Sequence, residues 1–117
     1  MKKEFENFED YCRYRNTGES RVSEKIFKMV KKLVDEFMYY EIGPEYMEED
    51  YRELTIVYSD CFYNMEIVFH DSFIKTYFPG TCEKGKYYET TSSGLKAVIR
   101  EVYEFMFYDE DDEDEDL

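Results

Sequence analysis

The apolar residues of this 117-residue chain change period between Phe37 and Leu54, and that change requires helix before it and strand after it. Val22, Ile26, Met29, Val30, Leu33, Val34 and Phe37 recur at helical spacing, with Lys25, Lys28, Lys31 and Lys32 on the opposite side. The spacing predicts a helix over about 21–41, capped by Ser20. Ile42-Gly43-Pro44 should stop it, with Gly43 in the left-handed position. Beyond the change, Leu54, Ile56 and Tyr58 alternate with Glu53, Thr55 and Val57. Cys61, Tyr63, Met65, Ile67 and Phe69 then alternate with Asn64, Glu66 and His70. Turns at Ser59-Asp60 and Asp71-Ser72, and a third run over 73–78 closed by Pro79-Gly80, predict a three-stranded antiparallel meander.

Helical signals flank the meander. Phe5, Phe8, Tyr11 and Cys12 among Glu4, Glu6, Glu9 and Asp10 predict a short amphipathic helix over 4–14, broken at Asn16-Thr17-Gly18. Leu95, Val98, Ile99, Val102, Phe105 and Met106 predict a last helix, capped by Ser92 or Ser93 and reaching about Tyr108. Residues 45–50 read as an acidic connection and 81–91 as a loop or short edge strand. The expected fold class is α+β: a three-stranded antiparallel sheet packed against amphipathic helices in the order α-α-β-β-β-α. Residues 1–108 would form a single domain, and 109–117 a disordered polyacidic tail.

Charge narrows the function. The chain carries 29 acidic and 15 basic residues, for a net charge of −14. Eight consecutive acids occupy 109–116, so the body is acidic but much less so than the whole. Such a surface repels nucleic acid and anionic membranes and attracts basic proteins, although acidity also serves solubility. Thirteen tyrosines and ten phenylalanines exceed what a core of this size can bury with every hydroxyl satisfied. Some tyrosines are therefore expected at the surface as contact residues. No apolar run follows Met1-Lys2-Lys3-Glu4 or is long enough to span a bilayer, so a cytoplasmic protein with reduced thiols is expected.

Motifs for chemistry are lacking. Cys12, Cys61 and Cys82 form no CxxC pair, and the one histidine, His70, stands beside Asp71 at a strand end. Gly80 and Gly85 flank no phosphate-loop ending, and the acidic run lacks the spacing of an EF-hand. The expectation is no enzyme, no catalytic residue, no metal and no cofactor. The lysines over 25–32 read as a solvated helix face. Carboxylates along a surface can stand in for phosphates, and neighbouring tyrosines can stack where bases would lie. The candidates for partner binding are Glu45, Tyr46, Glu48, Glu49, Asp50 and Tyr51 in the acidic connection, with Asp109, Glu110, Asp111 and Asp112 in the tail.

In its size, acidity, tyrosine content and helix–three-strand–helix order, the chain resembles the anti-CRISPR proteins and other DNA-mimicking inhibitors encoded by phages. The resemblance implies a non-enzymatic inhibitor acting in a bacterial host cell. Its partner would be a basic nucleic-acid-processing protein such as a CRISPR nuclease, with no direct binding of nucleic acid or membrane. The alternative is a homodimeric structural or regulatory interaction module.

Overall fold

The computed structural model describes residues 2–60, 63–81 and 84–107, and within them the sheet has six strands rather than three. The α+β class holds, but the expected order gives way to strand, two helices, five strands and a last helix. In chain order these are β1 (Lys2–Phe5), α1 (Phe8–Asn16), α2 (Glu24–Phe37), β2 (Tyr46–Asp50), β3 (Glu53–Ser59), β4 (Asn64–His70), β5 (Phe73–Tyr77), β6 (Lys86–Tyr88) and α3 (Ser92–Met106). Every neighbouring pair is antiparallel, and the strands lie side by side in chain order.

Two strands escaped the sequence pattern for different reasons, and a third had been allowed for. β1 has only four residues and one buried side chain, Phe5, too few to show a period beside the helical signal that follows. β2 hides its alternation, because its two inward positions are Met47 and the buried carboxylate Glu49. What read as an acidic connection over 45–50 is therefore a strand. β6, three residues long at the sheet edge, agrees with the short edge strand allowed for 81–91.

Helix starts depend on local caps. Asn7 caps α1, its side-chain oxygen accepting the Asp10 amide at 2.9 Å, and Glu9 and Asp10 in the first turn favour the positive end of the helix dipole. Ser23, not Ser20, caps α2. Its hydroxyl accepts the Ile26 amide at 3.2 Å and donates to Asp71 Oδ1 at 2.6 Å, tying the helix start to the β4–β5 turn. Thr91, not Ser92 or Ser93, caps α3 through the Gly94 amide at 3.1 Å. At its end α2 tightens into a 3₁₀ turn over Met38–Tyr40, and Glu41 takes the left-handed conformation expected of Gly43 (φ 55°). The Ile42 amide then reaches back to the Phe37 carbonyl at 3.3 Å, closing the helix without a glycine.

All three helices pack on one face of the sheet. Phe5, Met47, Leu54, Ile56, Tyr58, Met65, Ile67, Phe69 and Ile74 project from the strands into one core. Tyr11, the apolar stripe of α2 from Ile26 to Phe37, and Leu95, Val98 and Val102 of α3 meet them. α2 and α3 run parallel: Lys25 Nζ lies 3.4 Å from Thr90 Oγ1 at one end, and the Phe37 and Tyr103 rings are 4.6 Å apart at the other. No helix among the described residues is long and apolar enough to cross a membrane.

Inside this core the Tyr58 hydroxyl is buried without a hydrogen-bond partner among the described residues, and burial pushes its pKa up. A buried unsatisfied hydroxyl costs about 1–3 kcal/mol, so Tyr58→Phe should stabilise the fold by roughly 1 kcal/mol. A urea melt with a higher midpoint and unchanged slope is the expected result; a lower midpoint would mean that the hydroxyl has a partner.

Candidate functional site

Because side chains alternate along a strand, the face turned away from the helices carries the other half of each strand's residues. The register sets them in rows. One row runs Tyr46, Val57, Glu66, Tyr77 across β2 to β5. The next runs Glu4, Glu48, Thr55, Val68, Lys75, Tyr87 across the whole sheet. Lys2, Asp50 and Glu53 continue the face at the β1–β3 end, and the paired His70 and Phe73 at the other.

This helix-free face is half-buried rather than bare. Val57 lies between Tyr46 and Glu66 in its row and is only 1% exposed, so the surrounding side chains shield it without help from a helix. Tyr77 donates its hydroxyl to Glu66 Oε1 at 2.8 Å. Tyr46 and Tyr87 remain exposed. Aromatic rings thus flank the carboxylates of Glu48 and Glu66.

The electrostatics of the face are unbalanced. Glu4 and Glu48 stand directly opposite each other on β1 and β2, a like-charge pairing that costs stability in a sheet. Lys2 offsets part of it, its Nζ 3.4 Å from Glu48 Oε1. Tyr46 is held above the usual phenol range first by burial, then by Glu66, Glu48 and Glu4. Tyr77 is pushed up to about 12, again by burial first, then by its hydrogen bond to Glu66 and the charge of that carboxylate. Two phenols on separate strands thus register the same negative field. Toward the β6 edge the sign changes, where the Lys75 ammonium lies 5.0 Å from the Tyr77 ring centre and 5.5 Å from that of Tyr87.

Only three of the six candidates from residues 45–51 share this surface. Tyr46, Glu48 and Asp50 lie on the helix-free face, and Glu45 precedes the strand, its amide donating to the Val57 carbonyl at 2.7 Å. Glu49 points the other way. It is 5% exposed and accepts the Ser20 hydroxyl at 2.6 Å and the Arg21 amide at 3.4 Å, a structural tie between β2 and the α1–α2 loop. Tyr51 sits in the β2–β3 turn with φ 57° and is 68% exposed. It lines a notch of about 300 Å³ with Lys3, Tyr14, Glu19, Arg21 and Glu49. Asp109, Glu110, Asp111 and Asp112 lie outside the described residues, as do Cys61 and Cys82.

Sequence reasoning missed Glu4, Glu66 and Tyr77 as members of the same surface. Glu66 and the alternation of its strand were visible, but only the register places it beside Tyr46 and Tyr77. Elsewhere, His70 Nδ1 accepts the Ser72 amide at 3.0 Å while its ring stacks on Phe73, so its polar atom serves the β4–β5 turn. Cys12 is half-buried in α1, and burial raises its thiol pKa. Among the described residues no three His, Cys, Asp or Glu side chains are grouped to hold a metal ion. No protein-family model matches the chain, and neither does any curated protein or solved structure.

The Tyr77–Glu66 pair has a measurable signature. A phenol whose folded pKa of about 12 exceeds its ordinary value of 10.0 stabilises the fold fully below pH 10 and loses that contribution as pH rises through 12. Tyr11, also pushed to about 12 by burial, adds to the same alkaline window. In Glu66→Gln, Tyr77 should titrate at lower pH by phenolate absorbance while burial keeps it above 10.0. An unshifted titration would show that the carboxylate does not act on this phenol.

Proposed function

We propose that the protein is a non-enzymatic acidic binding protein whose helix-free sheet face docks on a basic, nucleic-acid-processing protein and blocks it. The observation that supports this reading most directly is the facing pair Glu4 and Glu48, with Glu66 nearby and Tyr46 and Tyr77 at their sides. A chain selected for stability alone gains nothing from placing two like charges opposite each other, a pairing that costs about 0.2–1 kcal/mol. Against a partner rich in lysine and arginine the same carboxylates become ligands, and the negative field speeds encounter. Tyrosine supplies rigid amphipathic contact area at low entropic cost. A face built for DNA or RNA would accept such carboxylates in place of phosphates, which fits an inhibitor of the phage or mobile-element type.

The test separates binding from folding. Glu4→Gln/Glu48→Gln/Glu66→Gln should leave stability unchanged or slightly higher, because repulsion is relieved. Recovery of a basic nuclease or other nucleic-acid-binding protein from bacterial lysate should fall by tenfold or more, and wild-type recovery should fall with rising salt. Full recovery by the triple variant would sink the sheet-face reading.

A second reading rests on a different feature. Met38, Tyr39, Tyr40 and Phe107 are 70, 94, 53 and 44% exposed at the tip where α2 and α3 end, an aromatic patch suited to pairing two copies. Light scattering at rising concentration decides it. A dimeric mass that Met38→Ser/Tyr39→Ser returns to that of a monomer supports the homodimeric module, and a monomeric mass throughout overturns it.

A further inference from the structure

Among the described residues, the outer surface of the helix layer gathers the largest group of cations without an ion-pair partner. Lys25, Lys28, Lys32, Lys96 and Arg100 are exposed on α2 and α3, and none has an ion-pair partner among the described residues. Two of the acids on these helices are already engaged, Glu24 with Arg15 at 2.6 Å and Asp35 with Lys31 at 3.0 Å. Three of the cations border a track made of two grooves that share Lys28 and Lys32. A groove of about 380 Å³ runs between Lys25, Lys28 and Lys32 and the start of α3, floored by Met29 and Leu95. A second, of about 310 Å³, carries on from Lys28 and Lys32 toward Asp35 and Glu36.

The occupant follows from where the chain goes next. α2 and α3 are parallel, so the end of α3 lies level with Phe37 and Tyr40: Tyr103 reaches Glu36 Oε1 at 3.3 Å, and the Phe107 ring, tilted to that of Tyr40, lies 5.1 Å from it. In sequence, the acids at 109–116 begin two residues beyond Phe107, which itself lies at the Phe37 end of α2. From the level of Phe37, Lys32, Lys28 and Lys25 lie back along α2 by about 8, 13 and 18 Å at 1.5 Å per residue. Eight residues in extended conformation span about 26 Å, enough to pass all three. An external polyanion would have to approach against a net charge of −14, whereas a segment joined through Tyr108 alone acts at an effective concentration of order millimolar.

We propose that residues 109–116 of the same chain bind along this track, their carboxylates on Lys25, Lys28 and Lys32. The inference does not rest on the partner reading. It assigns the acidic segment to the side of the molecule opposite the helix-free sheet face.

Zero-length carbodiimide coupling of the full chain at low concentration, followed by peptide mass spectrometry, tests it. The Lys31–Asp35 pair, 3.0 Å apart within α2, is an internal positive control. Expected are amide links within monomers from acids of 109–116 to Lys25, Lys28 and Lys32, at least fivefold more abundant than links to the exposed Lys2 and Lys86. These links should fall severalfold near 1 M salt and disappear in Lys28→Glu/Lys32→Glu, while the Lys31–Asp35 link persists. Links spread evenly over exposed lysines would overturn the proposal, as would none beside an intact control. Links found only in covalent dimers would assign the track to the acidic segment of a second copy and overturn the intramolecular assignment.

Discussion

A six-stranded antiparallel sheet has two faces to cover, and the helices among the described residues cover only one of them. The parallel pair α2 and α3, with α1 beside them, buries the inward side chains of β1 to β5 in a single apolar core. The outward side chains must then reconcile a partly apolar surface with water. Antiparallel sheets tolerate this arrangement because each strand can be apolar on one side and polar on the other. Here the outward side is polar only in part: Val57 and Val68 sit among tyrosines and carboxylates, and Tyr46 and Tyr77 take the place that a fourth helix would otherwise fill.

Two buried carboxylates hold the covered side together, and each is paired by donors rather than left bare. Glu49 joins β2 to the α1–α2 loop through Ser20 and the Arg21 amide. Glu101 of α3 accepts the Thr76 hydroxyl at 2.6 Å and the Tyr88 hydroxyl at 3.0 Å, with Lys86 Nζ at 3.4 Å, so one side chain joins the last helix to β5 and β6. Burying a charge is costly unless its lone pairs are used, and these contacts offset that cost while fixing which strand each helix end meets. Apolar packing alone would leave the short β6 weakly held.

These carboxylates also explain what the sequence hid. The stripe of α2 from Ile26 to Phe37 and the alternation of β3, β4 and β5 were legible because their inward positions are mostly apolar. β2 was not, since Glu49 occupies an inward position and breaks the period that marks a strand. The candidate site was half legible for the same reason. Tyr46, Glu48 and Asp50 were singled out by composition, but a cluster read along the chain mixes both faces of a strand. Glu4, Glu66 and Tyr77 join them only through register, which is a property of pairing between distant segments. The caps misled by a few residues because several adjacent hydroxyls compete, as at Thr90, Thr91, Ser92 and Ser93, and tertiary partners decide among them. Thr90 is taken by the Asp71 carbonyl at 2.9 Å, leaving Thr91 to cap the helix.

The polarity of the molecule follows from the same one-sided architecture. Carboxylates gather on the helix-free face from β1 to β4, while lysines with no ion-pair partner among the described residues gather on the outer surface of α2 and α3. Within the described residues, beneath a net charge of −14 for the whole chain, two patches of opposite sign are therefore separated by the thickness of the sheet and helix layers. Two copies pairing through their sheet faces would bring Glu4, Glu48 and Glu66 against their own equivalents, because a twofold interface sets each patch against itself. That repulsion disfavours self-association through this face and, on the proposed reading, favours a partner of the opposite sign. Charge that is a liability between copies thus acts as a filter on what the face can bind, the like-charge half of specificity.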